Sequence, residues 1–272
     1  MIKQNTGDSA CGTSGLDVRG VSISIGTTQI VSHVSFHATT GEVLAIIGPS
    51  GSGKTTLLKA ITGEFKYAGH IQLAGDEIGT LSSEDLAYVR GVLPQASFIS
   101  FPLTVSEVVG LGILDLKLDR RNRALRVGEA LQKVGLAGYE GRTYQELSGG
   151  EQQRAQLARV LCQVWEPITP DGTKRWLFLD EPVSSLDIKH QYQIMQLAAD
   201  YANRGGGVVA VLHDLNLTSA FADKVMVMKS GKMVGLGTHD DVLQAELLSH
   251  AYDIPLEICQ TPHGRPYLLP SF

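Results

Sequence analysis

Residues 42–63 read EVLAIIGPSGSGKTTLLKAITG. The unbroken apolar run VLAII suits a strand buried on both faces. Apolar residues three and four apart in TTLLKAI suit a helix that stops at Gly63. Between them, GPSGSGKT at 48–55 supplies Gly48, Gly51 and Gly53, whose backbones can turn N–H groups toward a phosphate chain where a side chain would be penalised. The helix opening near Lys54 adds the positive end of its dipole. Lys54 reads as a point charge for the β- and γ-phosphates and Thr55 as a hydroxyl for Mg²⁺. Pro49, Ser50, Ser52 and Thr56 complete the cradle for ATP. Strand, glycine loop and helix in this order specify an α/β nucleotide-binding core.

Two further stretches extend that core. RWLFLDEP at 175–182 is an apolar strand ending in two acids, which suits Asp180 to hold a metal through water and Glu181 to act as general base. Such an ending is also an ordinary strand–turn boundary, and the phosphate loop is what favours the catalytic reading. LSGGEQQR at 147–154 places Ser148 as N-cap of a helix running from Glu151. A hydroxyl beside the amides of Gly149 and Gly150 at a helix start is a second anion site.

Outward from these motifs, residues 18–47 alternate and then become continuously apolar, which predicts antiparallel strands followed by a buried one. HIQLAGDEI at 70–78 predicts a hairpin turning at Ala74–Gly75–Asp76, and KVMVMKSGKMVGLG predicts another at Ser230–Gly231. Helical spacing dominates from about 100 to 160, and strand signals return in RWLFLD and GVVAVLH. Thr238, with Asp241 three residues on, predicts a capped helix over THDDVLQAELL. The tail QTPHGRPYLLPSF, rich in proline, is expected to lie on the surface, as is the loop WEPITPDGTKR at 165–175.

The composition constrains partners. A net charge of −5 over 272 residues argues against a broad nucleic-acid-binding surface. The basic run KLDRRNRALR at 117–126 reads first as a solvated helix face and second as a patch for anionic lipid or a partner loop. No apolar run approaches the ~20 residues that cross a bilayer, and the polar first fifteen residues lack a secretory core. Cys11, Cys162 and Cys259 have no metal-like spacing and suit a reducing compartment. His33, His37, His70, His239, His250 and His263 read as surface or structural residues.

Phosphate loop, LSGGEQQR and acidic strand end, in this order and spacing, resemble the ATP-binding cassette (ABC) ATPases over about residues 16–270. The resemblance implies a P-loop (RecA-like) α/β core with an antiparallel β subdomain and an inserted α-helical subdomain. A disordered tail would take residues 1–15 and the nucleotide-binding domain 16–272. Within it the core would occupy about 16–95 and 160–272, and the helical part about 96–159. Gln95 in VLPQ matches the glutamine that senses Mg²⁺ and the attacking water, and His213 in VVAVLHD matches the switch histidine at the γ-phosphate. SSLD at 184–187 matches the loop that crosses a dimer interface, with Asp187 its acid and Ser148 reaching the other protomer's nucleotide. Ile25 stands where members carry an aromatic residue that stacks on adenine, so a tyrosine there is expected to tighten ATP binding.

Within the family, VLPQASFISFPLTVSEVVGLG at 92–112 resembles the haem importer ATPases, as does RWLFLDEPVSSLDIKHQ at 175–191. The implied assembly is a homodimer on two permease chains at the cytoplasmic face of the inner membrane, served indirectly by a periplasmic substrate-binding protein. Phe98, Phe101, Pro102 and Leu103 would line a groove for a permease helix or pack within the helical part. Two alternatives stay open: an importer ATPase for cobalamin or a ferric siderophore, and a soluble ABC-type ATPase of iron–sulfur cluster assembly.

Overall fold

A computed structural model describes residues 15–115, 118–260 and 266–270. Of the expected tail over residues 1–15, residues 1–14 with Cys11 lie outside the described residues, as do Lys117 and His263; Gly15 accepts a hydrogen bond from the Ala74 amide at 3.0 Å.

In chain order the elements begin with β1 (Leu16–Ile25), β2 (Thr28–Ala38), β3 (Val43–Ile47), α1 (Lys54–Ile61), β4 (Ala68–Leu73) and β5 (Asp76–Glu77). Next come α2 (Ser83–Val89), β6 (Arg90–Leu93), α3 (Val105–Gly110), α4 (Arg120–Lys133), α5 (Gly149–Gln163), β7 (Trp176–Asp180) and α6 (Ile188–Asn203). The chain continues through β8 (Gly207–Val211), α7 (Leu215–Phe221), β9 (Lys224–Lys229), β10 (Lys232–Gly237), α8 (His239–Val242), α9 (Ala245–Tyr252), β11 (Leu256–Gln260) and β12 (Pro266–Pro270).

The central sheet runs β10-β9-β3-β8-β7-β6, and every neighbouring pair from β9 to β6 is parallel. Strands β3, β7 and β8 are buried at every position, which is why they read as unbroken apolar runs. A second, antiparallel sheet, β2-β1-β4-β5, packs its alternating apolar face (Val18, Val21, Ile23, Val34 and Ile71) against α1 and one face of the central sheet. The other face buries its apolar residues with α3, α4, α5 and α6. Both expected hairpins are present, with Ala74, Gly75, Ser230 and Gly231 in the left-handed region at their turns.

Three readings change. The expected helix from Thr238 does open with its Thr238–Asp241 capping box but breaks at Leu243 and resumes as α9. The proline-rich tail does not lie wholly on the surface: β12 pairs antiparallel with β11, and Leu268 is buried with its amide and carbonyl bound to the Asn216 side chain. Proline stands only at the two ends of β12, where a missing donor is tolerated. Helix α2 was missed, although Ser82 and Asp85 form a reciprocal capping box that SSED announces.

Candidate functional site

Parallel strands release their C-terminal ends on one edge of a sheet, and open α/β sheets bind ligands there. The phosphate loop follows β3, Gln95 follows β6, Asp180 ends β7 and His213 follows β8. All four strands are neighbours, so one cavity of about 510 Å³ is lined by Ser50, Gly51, Gly53, Lys54, Thr55, Thr56, Gln95, Glu181, His213 and Ile30.

The loop is shaped by its glycines. Gly53 has φ +97°, and a Cβ there would meet Ile30 O and Val31 Cγ2 at 3.2 Å. The β9–β10 turn closes on the loop from below, where the Gly231 amide donates to Ser52 O at 3.0 Å and the Ser32 amide to Gly231 O at 2.9 Å. Lys54, at the first position of α1, is buried and donates to Gly48 O at 2.8 Å and Pro49 O at 2.9 Å. Burial lowers its pKa, against the pull of Glu181 and Asp180.

The acids face that loop. Asp180 is 2% exposed and accepts from the Thr55 hydroxyl at 2.9 Å. Burial raises its pKa; the Thr55 hydrogen bond opposes this and the Glu181 charge adds to it. A buried carboxylate beside a second carboxylate and a hydroxyl is a hard-oxygen donor set that a divalent cation would stabilise, so the residues fit Mg²⁺. Because folding raises this pKa, the protonated form stabilises the fold at low pH and that contribution is lost as pH rises through the folded value. Asp180→Asn keeps an acceptor for Thr55 while removing the charge. The metal-free variant should therefore melt above wild type at pH 7, while hydrolysis falls on the order of 10²-fold. A melting temperature below wild type would show that Asp180 is not held against its ionisation.

Glu181 has φ +51°, and its carboxylate sits between Gln95 Nε2 at 2.9 Å and His213 Nε2 at 2.6 Å. The family resemblance implies Gln95 and His213 as sensing residues beside the expected base Glu181, and the structure brings these three into hydrogen-bonding contact.

Ser148, Gly149 and Gly150 are elsewhere. Ser148 caps α5 through a box with Glu151, donating to Oε2 at 2.7 Å, and the Ser148 hydroxyl holds that carboxyl below its usual range. Gly149 lines a separate polar cavity of about 180 Å³ with Gln95, Gln152, Gln153 and Ser185. Asp187 caps α6, accepting from the His190 amide at 2.9 Å and its Nδ1 at 2.8 Å, with its side chain largely exposed. Neither Ser148 nor Asp187 lines the phosphate-loop cavity of its own chain.

Ile25 is 53% exposed at the β1–β2 turn and does not line the phosphate-loop cavity, whereas Ile30 does. Ile30, which the sequence reading does not name, is the aliphatic residue that lines it. Ile30→Ala should weaken ATP binding about fivefold, corresponding to roughly 1 kcal/mol of apolar contact, with Ile25→Ala unchanged. Equilibrium titration with a fluorescent ATP analogue would decide; the reverse ranking returns the base contact to Ile25.

Phe98 is 91% and Phe101 73% exposed, while Leu103 packs against the core. Their backbone is tied back by the Gln145 side chain, which donates to Ile99 O and Phe101 O.

The family described as ABC transporter matches residues 31–184. The chain is 52% identical over 267 residues to a hemin import ATP-binding protein, HmuV, of Mesorhizobium japonicum, covering 94% of this chain and 98% of that one. It is 53% identical over 257 residues to the protein of that name from Chelativorans, again covering 94% and 98%. A solved dimeric ATP-binding cassette in a post-hydrolysis state with ADP and phosphate aligns at TM-score 0.72 and 27% identity, covering 82% of this chain and 98% of that one. The ATP-binding subunit of an ABC transporter aligns at TM-score 0.74 and 22% identity over 88% and 96%, a likeness of fold.

Proposed function

The chain belongs to the ABC transporter family and is an ATPase of that type, and from that premise we propose that it is the energising subunit of a haem importer. The observation that carries the reading is near-full-length identity above 50% to hemin import ATP-binding proteins. The gathered cavity at the ends of β3, β6, β7 and β8 supports the chemistry.

In this proposal the γ-phosphate of ATP lies between Lys54 and His213, and Glu181 takes a proton from the attacking water. Gln95 and His213 keep the Glu181 carboxylate oriented from both sides. Mg²⁺, held by the Thr55 hydroxyl and through water by Asp180 and Gln95, would neutralise charge on the phosphate oxygens. Ser148, Gly149 and Gly150 lie outside the chain's own phosphate-loop cavity, which supports their serving the nucleotide of a second copy. Two chains would close head to tail on two ATP molecules, with Asp187 at the interface. Hydrolysis would loosen them.

Among the described residues no helix is long and apolar enough to cross a membrane, so the spanning chains would be two permeases. The exposed Phe98 and Phe101 would seat a permease helix beside the Gln95 loop, holding this subunit at the cytoplasmic face of the inner membrane. Haem itself would pass through the permeases, supplied from a periplasmic binding protein.

The test is growth of a strain lacking this gene on haemin as sole iron source, with a ferric siderophore as the parallel source. Wild type should restore growth on haemin alone, and the Glu181→Gln copy should not. Unimpaired growth of the deletion strain on haemin, or a defect confined to the siderophore, would overturn the haem assignment.

A further inference from the structure

Glu181 is the only non-glycine residue of the phosphate-loop cavity in the left-handed region among the described residues. Such a backbone persists only where its surroundings over-determine it. Its amide donates to Val211 O at 3.1 Å, and its carboxylate is held by Gln95 and His213. Its carbonyl accepts from Gln153 Nε2 at 2.9 Å, with the Ser184 hydroxyl at 3.3 Å.

Gln153 belongs to a different part of the fold. It lies one turn into α5, the helix that begins at Gly149 and Gly150 and is capped by Ser148. A helix is stiff over one turn, so a shift of its start carries the Gln153 amide with it. The side chain is also an expensive choice for a mere filler. Its Oε1 is buried with no partner among the described residues, and an apolar side chain of equal volume would avoid that penalty.

We propose that Gln153 is a positioning residue that couples the two nucleotide sites of the dimer. Engagement of Ser148–Gly150 by the nucleotide of the partner sets α5, and Gln153 then sets the backbone of Glu181 in its own chain. Each site thereby controls the general base of the other. This rests on the head-to-tail dimer proposed above. A displaced base loses rate steeply because proton transfer requires hydrogen-bond reach to the water.

The test uses the full chain with Gln153→Met, which keeps volume, removes the orphan acceptor and leaves Ser184 on the Glu181 carbonyl. Hydrolysis against ATP concentration gives kcat and the Hill coefficient, fluorescent ATP gives binding, and thermal unfolding reports the fold. The expected result is kcat lowered about tenfold and a Hill coefficient falling from above 1 toward 1. Binding should stay within twofold and the melting temperature should not drop. Gln153→Glu, which sets a carboxylate against the Glu181 carbonyl, should lose at least as much activity. Unchanged kcat, a retained Hill coefficient, or activity lost only in step with stability overturns the coupling. If wild type itself hydrolyses ATP without cooperativity and without dimerising, the dimer reading fails and takes this inference with it. If wild type is cooperative and Gln153→Met remains so, only this inference fails.

Discussion

Glu181→Gln is expected to reduce steady-state ATP hydrolysis by about 10²–10⁴-fold, the range over which a positioned general base acts. ATP binding should survive. The substitution preserves size, and its carbonyl oxygen can still accept from His213 Nε2, which lies 2.6 Å from Glu181 Oε1. What is lost is the proton acceptor, together with the hydrogen bond from Gln95, because Gln95 Nε2 would then face a second donor. Removing this charge also relieves Asp180, whose pKa Glu181 helps to raise. The nucleotide-bound dimer should consequently accumulate instead of cycling, visible as an ATP-dependent doubling of mass in size-exclusion light scattering. Retention of more than a tenth of wild-type turnover would move the general base to another residue. Loss of ATP binding together with turnover would instead assign Glu181 a structural role.

The parts of this site that could be read in the sequence are those whose position follows from backbone connectivity. Lys54 and Thr55 begin a helix directly after a buried strand, and Asp180 ends another. Once those strands are neighbours in one parallel sheet, their ends must converge. Gln95 and His213, which the family resemblance implies, also come just after strands of that sheet. Gln153 does not. Its reach to the Glu181 carbonyl depends on how α5 lies against the strand ends, and sequence periodicity fixes which face is buried but not the depth or tilt of packing. Ile30 was missed for a different reason. β1 and β2 pair with repeated register shifts between Val18 and Ser24, so which side chain past that turn lines the cavity does not follow from strand alternation alone. The prolines of the tail suggest a surface segment, while the apolar Tyr267–Leu268–Leu269 between two of them carries the signal of the strand over 266–270.

The glycines of the phosphate loop look equivalent in sequence, yet Gly48→Ala and Gly51→Ala should differ sharply. Gly48 has φ +146°, and an added Cβ would stand 2.1 Å from Met228 O and 3.0 Å from Ser52 Oγ. Met228 cannot retreat easily. It is fully buried in β9, which pairs in parallel with β3 through Ile47↔Val227 and antiparallel with β10 through Met233↔Met228. The mutant must therefore bear a backbone conformation reserved for glycine, at about 1–3 kcal/mol, and relieve a backbone clash, at about 1–3 kcal/mol more. Relief would pull the loop away from β9, shifting Gly48 O, to which Lys54 is bonded, and with it the phosphate-binding charge. Gly51 has φ +77° but open space around its missing Cβ, so Gly51→Ala bears the conformational penalty alone, about 1 kcal/mol. Denaturant unfolding should thus rank Gly48→Ala below Gly51→Ala by roughly 1–5 kcal/mol, a large share of a ~5–15 kcal/mol fold. ATP affinity should fall at least tenfold further in Gly48→Ala than in Gly51→Ala. Equal losses in the two variants would mean that the approach of Met228 O to Gly48 does not constrain the loop, and that the glycine requirement there is conformational alone.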